Sequence, residues 1–335
     1  MKVLVTGGMG YIGSHTCVEL LNKGYSVVIV DNLSNSNEEV INRLEKITGK
    51  RPVFYNADLR YEKELYTVFE KENVDSVMHF AALKSIPESV KFPIEYYENN
   101  VTGTLNVCRA MKKYSVKKIV LSSSAAVYGL TENKPIKEDG FLFPCNPYGR
   151  TKLIQEQIVS DYAASENIGA VILRYFNPIG AHKSGLIGEN PNGEPSNLMP
   201  YISQVAAGRL KELSIFGNNY NTIDGTGVRD YIHVSDLAEG HINALEKLNH
   251  SPKTILTCNL GSGHGYSVLQ VVNSFEKATG VKINYRFAPR RSGDVDMCYA
   301  DTSLAEKELG WTAKRKIDEM CRDEWNWQKK NPKGY

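Results

Sequence analysis

Tyr148 and Lys152 stand four residues apart in a stretch of helical character, Tyr148 to Asp161, so their side chains share one face about a turn apart. An ammonium beside a phenol favours the phenolate, and a nicotinamide cation nearby would do so further, moving it from roughly 10 toward neutrality. Such a tyrosine is a general base for a secondary alcohol. The Tyr-x-x-x-Lys pattern is loose, and Tyr114 with Lys118 repeats it just before a strand-like run, where a solvated turn is expected. What distinguishes the Tyr148 copy is its company. The apolar run Lys118 to Ser122 leads into Ser123 and Ser124, and Ser124 at that strand end is suited to hydrogen-bond both an alcohol and Tyr148.

A second constellation opens the chain. The strand-like Lys2 to Thr6 runs directly into Gly7-Gly8-Met9-Gly10-Tyr11-Ile12-Gly13, after which Ser14 to Leu21 has helical character. Gly7 permits a tight turn, Gly10 lets backbone N–H groups approach a pyrophosphate, and Gly13 lets helix and strand pack closely. Asp31 follows the second strand-like run at a distance suited to the hydroxyls of an adenosine ribose, and its charge repels a 2′-phosphate. With Asn32 and Leu33 after it in place of arginine, the cofactor is NAD rather than NADP. Asp58 either reaches the adenine or caps a helix.

These groups need a frame. Lys2 to Thr6, Ser26 to Val30, Pro52 to Tyr55, Ser76 to Phe80, Lys118 to Ser122 and Ala170 to Arg174 read as strands separated by amphipathic helices. That alternation implies α/β architecture, a doubly wound parallel sheet of Rossmann type. After Asn177 the pattern loosens into the Gly-, Pro- and Asn-rich stretch Gly180 to Ser196, with later strand-like pieces at Leu213 to Phe216 and Lys282 to Ala288. We therefore expect an NAD-binding domain over 1–176 and a smaller mixed α/β lobe over 177–335, with some segments returning to the first. The 335 residues are 41% hydrophobic, and 40 basic against 38 acidic residues leave a formal charge of +2. No global field recruits nucleic acid or an anionic membrane. Cys17, Cys108, Cys145, Cys258, Cys298 and Cys321 show no paired spacing, as in a reducing cytoplasm, and the seven histidines show no ligand spacing. No metal is expected, and His79 reads as packed at a strand end.

The glycine loop, Asp31-Asn32, His79-Phe80-Ala81-Ala82, Ser122-Ser123-Ser124 with Val127-Tyr128-Gly129, Tyr148 with Lys152, and Arg174-Tyr175-Phe176-Asn177 resemble the extended short-chain dehydrogenase/reductases over essentially the whole chain. Asn197-Leu198-Met199-Pro200, the run Gly225 to His233, and Ala288-Pro289-Arg290-Arg291 with Asp294 are similar to the UDP-glucose 4-epimerase family. The resemblance implies that Tyr11, Ile12, Asp31, Asn32, Leu33, Ser34, Asn35, Ser36, Asp58, Leu59, Phe80, Ala81, Ala82, Lys84, Asn99, Lys152 and Phe176 line the NAD site. It implies that Asn177, Asn197, Leu198, Ser214, Ile215, Phe216, Arg229 and Arg291 to Asp294 hold a UDP-sugar, with Ser124 and Tyr148 touching both ligands. Arginine forks suit a diphosphate better than lysine point charges.

The implied reaction interconverts UDP-glucose and UDP-galactose through a 4-keto sugar that turns over within the site. Two other readings compete. A nucleotide-sugar 4,6-dehydratase carries an Asp-Glu pair after the strand-five serine or threonine, where this chain has Ala125 and Ala126. A non-catalytic NAD sensor has no need of serine, tyrosine and lysine together. Ala126 also replaces a threonine found in many epimerases. Cys298 aligns with a bulky tyrosine of epimerases restricted to plain hexoses, so UDP-N-acetylglucosamine and UDP-N-acetylgalactosamine are expected to fit. The helical stretches Glu95 to Lys112 and Tyr148 onward are expected to form a homodimer interface.

Overall fold

A computed structural model describes residues 1–129, 134–193, 195–291 and 294–335. The strands are β1 (Lys2–Thr6), β2 (Ser26–Asp31), β3 (Val53–Asn56), β4 (Ser76–His79), β5 (Lys118–Ser124), β6 (Gly169–Tyr175), β7 (Asn177–Ile179), β8 (Leu213–Phe216), β9 (Val228–His233), β10 (Ile255–Leu260), β11 (Gly265–Ser267), β12 (Tyr285–Ala288) and β13 (Met297–Cys298). The helices are α1 (Tyr11–Asn22), α2 (Glu39–Thr48), α3 (Glu62–Glu72), α4 (Ile86–Lys91), α5 (Pro93–Tyr97), α6 (Gly103–Lys113), α7 (Pro147–Glu166), α8 (Leu198–Ala206), α9 (Val234–His250), α10 (Val268–Thr279), α11 (Ser303–Leu309) and α12 (Ile317–Lys330).

Seven strands form one parallel sheet in the order β10-β6-β5-β4-β1-β2-β3. The order reverses between β1 and β4, which opens a crevice beyond the carboxyl ends of the strands. Both faces of the sheet are covered, so its strands read as unbroken apolar runs. The pleat of β1 sends Val3 and Val5 to the face that meets Val18, Leu21, Ile242 and Leu245, and Leu4 to the face that meets Phe69, Met111 and Val159. Each such side chain contributes about 1.5–3 kcal/mol on leaving water.

The smaller assemblies pair β11-β9-β13, with β7 on β9, and β12 with β8. Ile179, Met199, Ile202, Tyr231, Phe275 and Met320 form their core. Although β10 and α9 come from the second half of the chain, they complete the large sheet and its cover. Among the described residues no helix is long and apolar enough to cross a membrane.

Two local readings change. The stretch Glu95 to Lys112 is not one regular helix, because a π-helical turn, Glu98–Thr102, joins α5 to α6. There the buried Asn100 accepts from Leu83 N at 2.8 Å and donates to Leu83 O at 3.0 Å and to Thr151 Oγ1 at 2.9 Å, tying the loop after β4 to α7. The second Tyr-x-x-x-Lys pair is not a simple solvated turn: Tyr114 stacks on Phe69 and meets Tyr66 edge-on, each at 5.8 Å between centroids. Lys118 reaches away to Asn249 Oδ1 at 2.8 Å.

The helix α12 carries a buried acid, Glu324, which accepts from Ser203 Oγ at 3.0 Å. Burial, then the nearby Glu189 carboxylate, push its pKa up to about 8. The folded state thus keeps a proton that the unfolded chain loses near pH 4, so this contribution is complete below about pH 4 and is lost as pH rises through 8. Glu324→Gln removes the titration. In melting curves at pH 6 and pH 9, the wild-type Tm falls by about 3–6 °C more than that of the variant. Equal falls would show that Glu324 is already ionised at pH 6.

Candidate active site

At the end of β1 the chain turns at Gly7, with φ +69°, and the Gly7 N–H donates to Val30 O at 2.8 Å. A Cβ at Gly7 would lie 2.7 Å from Ala81 N, and one at Gly13 would lie 2.2 Å from Gly7 O. Gly10 precedes α1 without a side-chain cap, and no acidic residue occupies the first turn. The first N–H groups and the positive end of the helix dipole are therefore offered to an anion in the cleft.

Asp31 ends β2. Its carboxylate accepts from Met9 N at 3.1 Å, Leu33 N at 2.9 Å and Ser36 Oγ at 2.8 Å. Burial raises its pKa, with these hydrogen bonds opposing. Leu33, at φ +57°, turns its N–H to Asp31 while its side chain packs on the core, away from the cleft lining. Asp58 lines the cleft without capping α3, whose N-cap is Tyr61. Burial raises the Asp58 carboxyl, but the Arg60 fork, with Nη2 at 2.7 Å, and Asn32 at 3.1 Å outweigh it and hold the group below its usual range.

Asn146 Oδ1 accepts from Gly149 N at 2.9 Å and Pro147 supplies the first helical residue, so α7 begins just before Tyr148. In the sheet, β5 brings Ser124 to the carboxyl edge beside Tyr175 of β6. Ser124 Oγ accepts from Ala126 N at 3.1 Å, and Ser124 lines the cleft beside Tyr148. Lys152 Nζ donates to Ser122 O at 2.9 Å. Behind it, Arg174 grips Glu156 through Nε at 3.0 Å and Nη2 at 2.7 Å.

The electrostatics correct one expectation. Burial raises the Tyr148 phenol, with Ser124 opposing, so Lys152 does not draw it toward neutrality in the protein alone. The reason is that a buried site penalises the phenolate while the lysine is directed at a backbone carbonyl. Burial also lowers Lys152 to about 8, against the pull of Glu156. His79 is held neutral by burial, pushed down to about 3, and is bonded to Thr6 Oγ1 at 2.7 Å and Thr104 Oγ1 at 2.9 Å.

A cleft of about 790 Å³ unites Asp31, Asp58, Ser124, Tyr148 and Lys152 with Asn177, Asn197, Arg229, Asp294 and Cys298. Gly7, Gly10, Tyr11, Ile12, Gly13, Ser34, Asn35, Leu59, Phe80, Ala82, Lys84, Asn99 and Phe176 also line it. Arg229 pairs with Asp294, which accepts from Tyr220 Oη at 3.1 Å. Burial pushes the Cys298 thiol up to about 11. Leu198, Ser214, Ile215, Phe216 and Arg291 stand outside the lining. Ile215 is in the lobe core, and Arg291 lies over the Phe216 ring at 4.1 Å. Ser292 and Gly293 lie outside the described residues. Sequence reasoning passed over Glu189 and Tyr335, both in the lining. An acid within the Gly- and Pro-rich loop was the available signal for Glu189.

A doubly wound sheet with this glycine turn, and with Ser124, Tyr148 and Lys152 at its carboxyl edge, defines an extended short-chain dehydrogenase/reductase. A family model described as GDP-mannose 4,6 dehydratase matches residues 4–324. A UDP-glucose 4-epimerase of Bacillus subtilis is 58% identical, covering 100% of this chain and 99% of the relative. Two solved structures of UDP-glucose 4-epimerases agree in fold. One from Stenotrophomonas maltophila, with bound NAD and formylated UDP-arabinopyranose, has a TM-score of 0.97 at 50% identity over 99% of each chain. Another from Bifidobacterium longum, in complex with NAD+ and UDP, has a TM-score of 0.96 at 52% identity over 100% of each chain. The chain belongs to the UDP-glucose 4-epimerase family.

Proposed function

We propose that this protein interconverts UDP-glucose and UDP-galactose by inverting C4 of the hexose, using NAD held in the cleft. One observation carries the reading: Ser124, Tyr148 and Lys152 line a single cleft with the glycine turn and Asp31 as well as Asn197 and Arg229. The residues present fit a dinucleotide, because side chains at Gly7 and Gly13 would strike backbone, the N-terminus of α1 is uncapped, and Asp31 is braced by three donors.

Bound NAD supplies a hydride acceptor and donor at C4, together with the positive charge that favours a phenolate. Tyr148 Oη takes the proton of the 4-hydroxyl and later returns one to the 4-keto oxygen. Ser124 Oγ hydrogen-bonds that oxygen and relays the proton. Lys152, whose Nζ donates to Ser122 O, adds its positive charge to that of bound NAD in favouring the phenolate. Arg229 anchors the diphosphate once that anion displaces Asp294, so the sugar can present either face while the nucleotide end stays fixed.

Ala125 and Ala126 leave no acid pair after Ser124, which argues against the elimination of a 4,6-dehydratase. The assay is UDP-galactose with purified protein and no added nucleotide. UDP-glucose is the expected product, whereas a 4-keto-6-deoxy sugar would mean the dehydratase and no turnover the NAD sensor.

The substrate range extends in this reading to UDP-N-acetylglucosamine and its galactosamine epimer, because Cys298 presents a small side chain to the cleft. Cys298→Tyr lowers kcat/KM for the N-acetylated pair by about 10–200-fold, the range for a hydrophobic volume mismatch, and leaves UDP-galactose nearly unchanged. Unchanged turnover of N-acetylated substrates would refute the volume argument. The functional unit in this reading is a homodimer. The exposed apolar residues that support it are Ile86, Val90, Phe92 and Ile94 on and between α4 and α5, since the apolar positions of α6 cover the sheet instead. Six free thiols support residence in a reducing cytoplasm.

A further inference from the structure

Glu189 stands in the loop that borders both ends of the cleft, and it is only 7% exposed. One oxygen, Oε1, accepts from Lys84 Nζ at 2.6 Å and from Asn197 Nδ2 at 2.9 Å. Lys84 belongs to the loop after β4, on the dinucleotide side, while Asn197 immediately precedes α8, on the sugar side. The loop backbone is clamped. A Cβ at Gly188 would lie 2.4 Å from Trp327 Cγ, and Trp327 Nε1 donates to Glu189 O at 3.3 Å.

We propose that Glu189 is a positioning residue that couples the two half-sites, making dinucleotide binding and UDP-sugar binding strengthen each other. The inference rests on the proposed function. An anionic pyrophosphate competes with the Glu189 carboxylate for Lys84. When Lys84 turns to the pyrophosphate, Oε1 no longer divides itself between two donors, and its charge-assisted bond to the Asn197 amide strengthens. Asn197 is then fixed for the nucleotide sugar. Linkage makes the effect reciprocal: whatever NAD does for UDP affinity, UDP does for NAD affinity.

The test is calorimetric titration of UDP into the full chain, freed of nucleotide and then reloaded with saturating NAD. Wild-type protein binds UDP about 5–20-fold more tightly in the loaded form. Glu189→Gln, which loses the charge, brings that ratio below about 2. Glu189→Asp, which keeps the charge but shortens the reach, does the same and serves if the first variant folds poorly. A ratio equal to wild type in the variants, even with uniformly weaker binding, would make Glu189 a scaffold residue and overturn the coupling. Wild-type protein that binds neither NAD nor UDP would overturn the proposed function itself.

Discussion

Tyr148→Phe lowers kcat for UDP-galactose by about 10³-fold, within the 10²–10⁴ that a positioned general base contributes, and leaves the Kd for UDP unchanged. The loss is selective because the phenylalanine ring fills the same buried volume at the start of α7, so the fold and the nucleotide sites survive. What disappears is the group proposed to take the 4-hydroxyl proton. Ser124 cannot replace it: an alcohol is a far weaker base than a phenolate at neutral pH, and Lys152 is directed at Ser122 O. A thousandfold fall corresponds to about 4 kcal/mol of transition-state stabilisation. The experiment compares single-turnover rates of NAD-loaded wild type and variant, with melting curves to confirm folding. Full activity in a folded, loaded variant would remove Tyr148 from the base role.

Gly13→Ala strips the protein of its dinucleotide. The added methyl would sit 2.2 Å from Gly7 O and 2.9 Å from Gly8 Cα, both backbone positions, so no rotamer change relieves the clash. Either α1 slides away from the glycine turn or the turn opens. Both moves displace the N–H groups that meet the pyrophosphate. Overpacking of this kind costs about 1–3 kcal/mol, and the variant is expected to carry less than about a tenth of the wild-type nucleotide, since 1.4 kcal/mol is tenfold in binding. Nucleotide released from denatured protein, read by absorbance, measures this directly. Wild-type content in the variant would show that the turn tolerates a side chain and that the close approach is not essential.

The chemistry was written locally and the fold in periodicity, which is why both could be read from the chain. The glycine turn and the Tyr148–Lys152 pair each depend on residues within a few positions of one another, and continuous apolar runs announce buried parallel strands. The limits came where distant contacts decide. Glu189 meets Lys84 across 105 positions, and nothing in its local sequence names that partner. Spacing reveals that Lys152 shares a face with Tyr148 but does not reveal that the Ser122 carbonyl of β5 accepts from its ammonium, so in the protein alone the phenol stays above its ordinary range. Leu33 reads with its neighbours as a ligand residue, yet at positive φ its side chain packs on the core. At β8, the neighbours Ser214 and Phe216 are more open than the buried Ile215, an alternation set by the strand pleat.

The return of α9 and β10 to the large sheet has a mechanical consequence. The chain leaves that sheet after β6, comes back at α9, leaves again after β10, and returns through α11, whose Ala305 and Leu309 share the core of the sheet, before α12 closes on the small lobe. A two-body hinge flexes easily when one tether joins the bodies. Here several tethers would have to bend in concert, so a simple hinge between sheet and lobe is disfavoured. In the proposed reaction, such stitching would hold the nucleotide end in place while the keto sugar turns.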